Sequence, residues 1–180
     1  MSYFYYNLTM EIITLIGDYK AFIADLLQKI KSAGIDIETY PIDHLCYRTA
    51  TTEEYSELKN KLMQFSRAYI ENTYHDRPIS KFILKTPLLY NQYSISMLEL
   101  PAPKKDIKYS SGLEHFEMVV DDFIAFQKKY KNLWSGSDDS NIYNETVYIT
   151  FENNKTVKFH EYSLEEVLKK EGRQFIKLNQ

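Results

Sequence analysis

The stretch "PIDHLCYRTAT", residues 41–51, begins as a turn and continues as a strand. It decides the fold because its pattern recurs later in the chain. The second copy is "GLEHFEMVV", residues 112–120. Each strand opens with an acidic residue followed by a histidine: Asp43-His44 and Glu114-His115. Each strand is followed by a helix-like stretch that begins at a Thr or Asp cap. Two units of the same design predict an internal repeat.

The predicted elements complete this repeat. After the first strand we predict one helix and three strands: 52–65, 67–73, 79–86 and 92–100. After the second we predict a helix, a loose Ser/Gly/Asp stretch and two strands: 121–132, 135–141, 145–152 and 155–161. Alternating apolar residues indicate the strands, and apolar residues on a 3.6-residue period indicate the helices. The pattern is therefore α+β, with a βαβββ module followed by a shortened copy.

Short signals mark the connections. Residues 101–112 are rich in Pro and polar residues and predict a linker, and "HDRP" from His75 predicts a turn. Asn153-Asn154 is a pair that tolerates positive φ, so it predicts a hairpin between the last two strands.

A helix is predicted at each end of the chain. Residues 9–33 carry an apolar helical stripe, with Thr9 as cap and Gly17 as a place where the helix bends or divides. A capping box from Ser163 begins a short C-terminal helix. We expect residues 1–34 to be a helical extension packed on a single domain, residues 35–180, with modules at about 40–100 and 112–172.

Composition excludes several function classes. Hydrophobic residues make up 44% of the 180 residues, which suffices to fill a core. A net charge of -3 gives no reason to expect a nucleic-acid partner. No apolar run approaches the roughly 18 residues that cross a membrane, and the N-terminus does not resemble a signal peptide. One cysteine, Cys46, fits a reducing compartment, so we expect a cytoplasmic protein.

The repeat suggests a candidate metal site. His44 and His115 lie near the start of each module's first strand, whereas Glu99 and His160 lie near the end of each last strand. If the modules face one another, these four side chains meet in one cleft. Imidazole and carboxylate suit a divalent ion such as Zn²⁺, Fe²⁺, Mn²⁺, Co²⁺ or Ni²⁺. The competing interpretation is that each histidine is a structural residue held by hydrogen bonds.

Strand alternation places further side chains in the same cleft. Arg48 shares the face of His44, and its guanidinium is a candidate clamp for a substrate carboxylate. Glu117 shares the face of His115 and is a candidate general base or an alternative oxygen ligand. Both residues have a structural alternative, an ion pair, and Cys46 has one as a small buried hydrophobe. Asp43 and Glu114 point to the opposite face of an ideal strand, although either can reach around to orient a neighbour.

The sequence also resembles a known family, the YecM-like proteins of the vicinal oxygen chelate superfamily, which includes glyoxalases and extradiol dioxygenases. The resemblance rests on five stretches in the right order: "DHLCYRTAT" (43–51), "RPISKFIL" (77–84), "SISMLELPAPK" (94–104), "GLEHFEMVV" (112–120) and "TVKFHEYSLEEV" (156–167). It implies that paired βαβββ modules form a half-open barrel-like sheet with a divalent metal on its concave face. It implies the same ligands, with His160 where the superfamily usually has a carboxylate.

Three functions are compatible with these observations. The first is a metal-dependent isomerase, lyase or dioxygenase acting on a small oxygen-rich substrate. The second is a protein that binds a small molecule in the same cleft without chemistry. The third is a structural or protein-interaction domain that docks through its first helix. A monomer or homodimer is expected in each case.

Overall fold

The structure is a computed structural model that describes residues 11–74, 76–105, 107–108 and 110–178. These residues form five α-helices, one short 3₁₀ helix (Glu152–Asn154) and nine strands. The helices are α1 (11–16), α2 (Tyr19–Ser32), α3 (Thr52–Gln64), α4 (Phe123–Lys129) and α5 (Leu164–Lys170). The strands are β1 (Ile42–Arg48), β2 (Ser66–Tyr74), β3 (Arg77–Tyr90), β4 (Tyr93–Pro101), β5 (Gly112–Val119), β6 (Gly136–Asp138), β7 (Thr146–Thr150), β8 (Thr156–His160) and β9 (Ile176–Lys177).

All nine strands belong to one open sheet in the order β6-β7-β8-β5-β1-β4-β3-β2-β9. The antiparallel pair β1–β5 lies at its centre. On either side a parallel partner follows, β4 beside β1 and β8 beside β5. Each half therefore contains one strand, one helix and three further strands, in mirrored order about the central pair. This confirms the predicted α+β fold of two βαβββ modules in a half-open, barrel-like sheet.

Alternation along the strands gives the sheet two different faces. One face is apolar and packs in the main core with residues of the first four helices, and its strand members include Leu45, Phe82, Leu98, Phe116 and Phe159. The neighbouring positions on each strand point to the other face, where they line a cleft. The cleft face is rich in charged and histidine side chains, so the two faces of the sheet differ in polarity.

The N-terminal helical stripe divides at Gly17, which has a φ of +82°. Glycine adopts this left-handed conformation without a steric penalty, and this explains the interruption between α1 and α2. Apolar residues of both helices, including Ile12, Ile23 and Leu26, are buried in the same core as the sheet. The division of the chain at residue 34 stays a prediction.

The C-terminal residues 163–178, here called the C-terminal strap, run from the end of β8 to the far edge of the sheet. α5 begins at Ser163, and the predicted capping box with Glu166 is confirmed. β9 then pairs with β2 of the first module. Leu164 and Phe175 pack on a small second apolar cluster on the cleft face, formed by Ala68, Ile83 and Met97. The strap thus connects the second module to the first.

Several predicted boundaries differ from those observed. β3 extends to Tyr90 through an irregularity in its pairing with β4, and α4 ends earlier than predicted, at Lys129. The loose stretch contains the three-residue strand β6. Asn153 and Asn154 have positive φ as predicted. Thr9 and His75, a predicted cap and a predicted turn residue, lie outside the described residues.

Within the described part of the chain, no helix is long and apolar enough to cross a membrane.

Candidate metal centre

The pairing of β1 with β5 brings the two repeated histidines together at the centre of the sheet. His44 lies opposite Glu117, and His115 lies opposite Cys46. Each histidine precedes the cap of the next helix, Thr51 or Asp122, by the same number of residues. The approximate two-fold axis that relates the modules therefore exchanges His44 with His115. Their ring centroids are 6.3 Å apart.

The carboxylate of Glu117 lies among three imidazole rings. Its Oε1 is 3.6 Å from Nε2 of His44 and 3.2 Å from Nε2 of His115. Its Oε2 is 3.2 Å from Nε2 of His160, which β8 supplies. The three histidine residues are 1%, 5% and 1% exposed, respectively. Two predicted ligands from the central strand pair and one from β8 thus meet around a single carboxylate.

The three Nε2 atoms are buried and make no hydrogen bond within the described structure, even where Glu117 is near. Each opposite ring nitrogen, by contrast, has an acceptor. Nδ1 of His44 lies 2.7 Å from Asp43 Oδ2, and Nδ1 of His160 lies 2.5 Å from the carbonyl oxygen of Tyr162. Nδ1 of His115 bonds to Glu114. An acceptor at Nδ1 holds a proton there, so a metal that displaces the Nε2 proton would find the usual arrangement of a histidine ligand.

The spacing of these atoms suits a shared cation. Donor atoms about 2.1 Å from one tetrahedral ion are separated from each other by about 3.4 Å. The nitrogen–oxygen separations of 3.2, 3.2 and 3.6 Å around Glu117 are close to this value. His44, His115 and Glu117 offer donor atoms that all lie within 4.8 Å of one another, whereas His160 lies outside this group and contacts the second oxygen of Glu117. Because unpartnered buried nitrogens are costly, the donor set and its geometry fit a divalent ion.

The opposite charges of Glu117 and its basic neighbours stabilise the ionised form of each group. Burial lowers the pKa of His44, but Glu117 and Asp43 outweigh burial and raise it to about 9. Burial raises the pKa of Glu117, but the charges of Lys158 and His44 and its other histidine neighbours hold it well below its ordinary value. Nζ of Lys158 lies 2.8 Å from Oε1 of Glu117. Glu117 is therefore an ionised carboxylate in a strongly positive environment.

Glu99 lies beside this group rather than inside it. It pairs with Cys46, and these two residues form with His115 a second set of donor atoms within 4.8 Å of one another. Glu99 and His160 do not occupy equivalent places. The same two-fold relation that exchanges His44 with His115 matches Glu99 with Lys158, because Lys158 pairs with Glu117. The role of Glu99 as a ligand stays a prediction.

Arg48 lines the cleft but is bound to a neighbour. Its Nη2 lies 3.1 Å from Oε1 of Glu114, whose other oxygen bonds to His115. Burial raises the pKa of Glu114, but His115 and Arg48 outweigh burial and lower it to about 2. Arg48 thus fixes the carboxylate that orients His115. Its predicted role as a substrate clamp stays a prediction.

The centre opens into a cleft of about 450 Å³ between the two modules. β1, β4 and β5 form its floor, and side chains of β3, of β8 and of α5 in the C-terminal strap line its sides. Sequence reasoning missed two features of this site: the central place of Glu117 and its contact with Lys158. Alternation along β5 and β8 does place these residues on the face of His115 and His160, but only the register of the strands brings them into contact.

The paired βαβββ modules thus enclose a concave cleft that is lined by histidine and carboxylate side chains. Residues 11–140 match the family described as "YecM protein", and the chain belongs to that family. The chain is 25% identical to Protein YecM of Escherichia coli over 181 aligned positions, which cover 89% of this chain and 94% of that protein.

Two further similarities agree with this assignment. An uncharacterised protein of Haemophilus influenzae is 27% identical over 114 residues, which span 63% of this chain and 60% of that protein. The solved structural-genomics structure of Protein EC4020 superposes with a TM-score of 0.71 at 26% identity, over 84% of this chain and 87% of that one.

Proposed function

We propose that this protein binds a divalent metal ion in its cleft and uses it to act on, or to hold, a small oxygen-rich molecule. The ligands in this proposal are His44, His115, His160 and Glu117. One observation carries it: three buried Nε2 atoms without hydrogen-bond partners surround one carboxylate, and every Nδ1 is held by an acceptor.

Each residue of the centre has a definite task in this proposal. Asp43 and Glu114 fix the rings of His44 and His115, and Lys158 holds Glu117. A divalent ion bound there supplies a Lewis acid for oxygen atoms of the substrate and suits isomerase, lyase or dioxygenase chemistry. A cleft between two modules admits a small molecule beside it. The single cysteine, Cys46, which is buried and free, supports a cytoplasmic location.

A second candidate function is binding without chemistry. It is favoured by the state of Glu117, which the sequence offered as a general base or as an alternative oxygen ligand. Its oxygens face three histidine rings and Lys158, so Glu117 serves better as a ligand than as a mobile base. A thermal-shift screen of small dicarboxylic and hydroxy acids separates the two functions. A compound that raises the melting temperature but is not converted favours binding, whereas a compound that is converted favours catalysis.

The metal content of protein purified without a histidine tag tests the shared claim. We expect about one equivalent of divalent metal in the wild type, since three or four protein ligands define one site. The variants His115→Ala and Glu117→Gln should lose it. Glu53→Gln, an exposed carboxylate on α3, is the matched control and should keep it. Equal, substoichiometric metal in all four proteins would contradict the proposal.

A further inference from the structure

We propose that the wall of the cleft formed by β3 binds an oxyanion of the ligand, a carboxylate or a phosphate, through Lys81 and Arg77. This names the class of molecule for the proposed metal site, on which it rests: a small compound with metal-chelating oxygens and a separate negative charge. Both residues line the cleft.

Lys81 is a buried lysine on the wall of the cleft. It is 5% exposed, whereas buried lysines are rare unless an acidic partner compensates their charge. Its Nζ donates to Asn72 Oδ1 at 2.7 Å, and this is its only hydrogen bond within the described residues. The nearest carboxylate oxygen, Oε2 of Glu99, is 4.0 Å away, beyond hydrogen-bonding distance. An ammonium has three donors, so Lys81 retains the capacity to bind an anion.

Arg77 lies four residues before Lys81 on the same face of β3. Its Nη1 donates to the carbonyl oxygen of Ala102 at 2.8 Å, while its Nε is buried without a hydrogen-bond partner in the described structure. No carboxylate of the described residues lies within 4.0 Å of its guanidinium nitrogens. A planar guanidinium matches the two oxygens of a carboxylate or phosphate. Within the described part of the chain, Arg77 is therefore a cation without a carboxylate partner.

The register of the sheet places Ile79 between Arg77 and Lys81 on the cleft face of β3. Asn72 of β2 pairs with Ile79. Because Lys81 bonds to Asn72, its side chain leans along the strand toward Arg77. Ile79 also lines the cleft, so the space above it is bounded by both cations and by an apolar floor. This is where we place the oxyanion.

This position is within reach of the metal centre for a small molecule. Lys81, Glu99, Cys46 and His115 form one row across four neighbouring strands. Strands are about 4.8 Å apart, so the backbones of Lys81 and His115 are separated by about 14 Å. The lysine side chain shortens this span, since its Nζ already approaches Glu99. A ligand of a few carbon atoms can therefore contact both ends.

The acidic groups nearby do not cancel this positive wall. Glu171 of the C-terminal strap faces the same space, but its carboxylate accepts from Arg173 Nε at 2.7 Å and from Asn141 Nδ2 at 3.0 Å. Glu99 is shared between Lys81 and the row of donors around His115. A divalent ion adds positive charge on the other side of Glu99. The loaded cleft therefore favours an anionic ligand over a neutral one.

The experiment uses Co²⁺-loaded protein and two chelators of matched size. Succinohydroxamic acid carries a carboxylate at the far end from its metal-binding group, and butanohydroxamic acid carries a methyl group there. Dissociation constants come from the change in the visible cobalt spectrum. We expect the acid to bind the wild type at least about tenfold more tightly, since hydrogen bonds to charged groups are the strong ones. Lys81→Met and Arg77→Met should each reduce this ratio toward one.

Lys85→Met is the matched control, because Lys85 lies on the same strand but is exposed and outside the cleft. It should keep the wild-type ratio. Equal binding of the two chelators by the wild type, or an unchanged ratio in both cleft variants, would overturn the inference. Melting curves establish that each variant is folded, and two independent cleft variants guard against one failing to fold.

A failure of metal binding is separable from a failure of the oxyanion site. If the wild type gives no cobalt spectrum, the proposed function is wrong, and succinate and inorganic phosphate are then titrated into metal-free protein. Binding of either anion that weakens in Lys81→Met and Arg77→Met supports the oxyanion site, and the anion that binds identifies carboxylate or phosphate. No binding of either anion, or equal binding by all variants, overturns it.

Discussion

Asp43 shows how one side chain serves two neighbours at the centre. Its Oδ2 accepts from Nδ1 of His44 at 2.7 Å and from the backbone N–H of Leu164, in the first turn of α5, at 3.0 Å. An ideal strand points Asp43 away from the cleft, yet its side chain reaches around to orient its neighbour. The same device recurs in the second module, where Glu114 bonds to His115. Acidic residues directly before each histidine are thus part of the site.

The first prediction concerns this residue. Asp43→Ala should lower the affinity for Co²⁺ by about 10- to 100-fold, since removing the acceptor frees the ring of His44 to rotate and to change tautomer. Competition with a chromophoric chelator measures the affinity. Asp121→Ala, at an exposed carboxylate, should bind as the wild type does. An unaltered affinity in Asp43→Ala would remove the orienting role.

Residues of the candidate site were predictable to different degrees. His44 and His115 follow from the repeated acidic-histidine pair, and alternation alone places Glu117 on their face. The position of Glu99 beside Cys46, and the contact of Glu117 with Lys158, depend on which residue of each strand lies opposite which. Short strands carry no sequence signal for a shift of two residues, because such a shift keeps every side chain on its own face.

At the scale of elements, α3 is tied to the sheet by a polar cluster around Glu71. Tyr55 Oη and Lys59 Nζ on α3 each lie 2.5 Å from Oε2 of Glu71 on β2, and Ser80 Oγ on β3 donates to the same oxygen at 2.9 Å. Burial raises the pKa of Glu71, but the hydrogen bonds from these three residues outweigh burial and lower it below 4.5. The ionised carboxylate therefore joins three elements.

We predict that this cluster stabilises the fold in a pH-dependent manner. A lowered folded-state pKa means that the contribution of Glu71 is present above pH 4.5 and is lost as the pH falls through the folded-state value. Glu71→Gln should therefore lower the free energy of unfolding at pH 7, and the gap to the wild type should narrow in acid. Urea titrations of both proteins at pH 7 and in acid measure the free energies of unfolding. Glu57→Gln, exposed on α3, should show no such gap; a gap for Glu71→Gln that is constant with pH would contradict the assignment.

The elements were predicted better than their ends. The cap at Ser163 is confirmed, and of the two candidates at each of the other helices the structure uses Thr51 and Asp122, because a side-chain oxygen that accepts from the first turn is a local feature. The extra length of β3 and the short strand β6 depend on neighbouring strands that supply hydrogen-bond partners. A local pattern contains no information about those partners.

At the scale of the whole molecule, the C-terminal strap connects the modules across the cleft. Phe175→Ala removes a partly buried ring from the second apolar cluster and should lower the free energy of unfolding by about 1–2 kcal/mol, less than for a fully buried phenylalanine. Denaturant titration measures this. Ile176→Ala, at the exposed neighbouring position, is the control and should cost far less. Equal losses would show that the strap does not rest on this cluster.

The histidines that meet in the cleft come from positions 44, 115 and 160, so about two thirds of the polypeptide separates the first from the last. In an unfolded chain such distant groups rarely come together, since closing long loops costs entropy. An ion could therefore be captured only after synthesis has passed His160 and both halves have docked. Loading would then be a post-translational event, and chelators present during translation should leave the chain free to reach its fold before any cation is added.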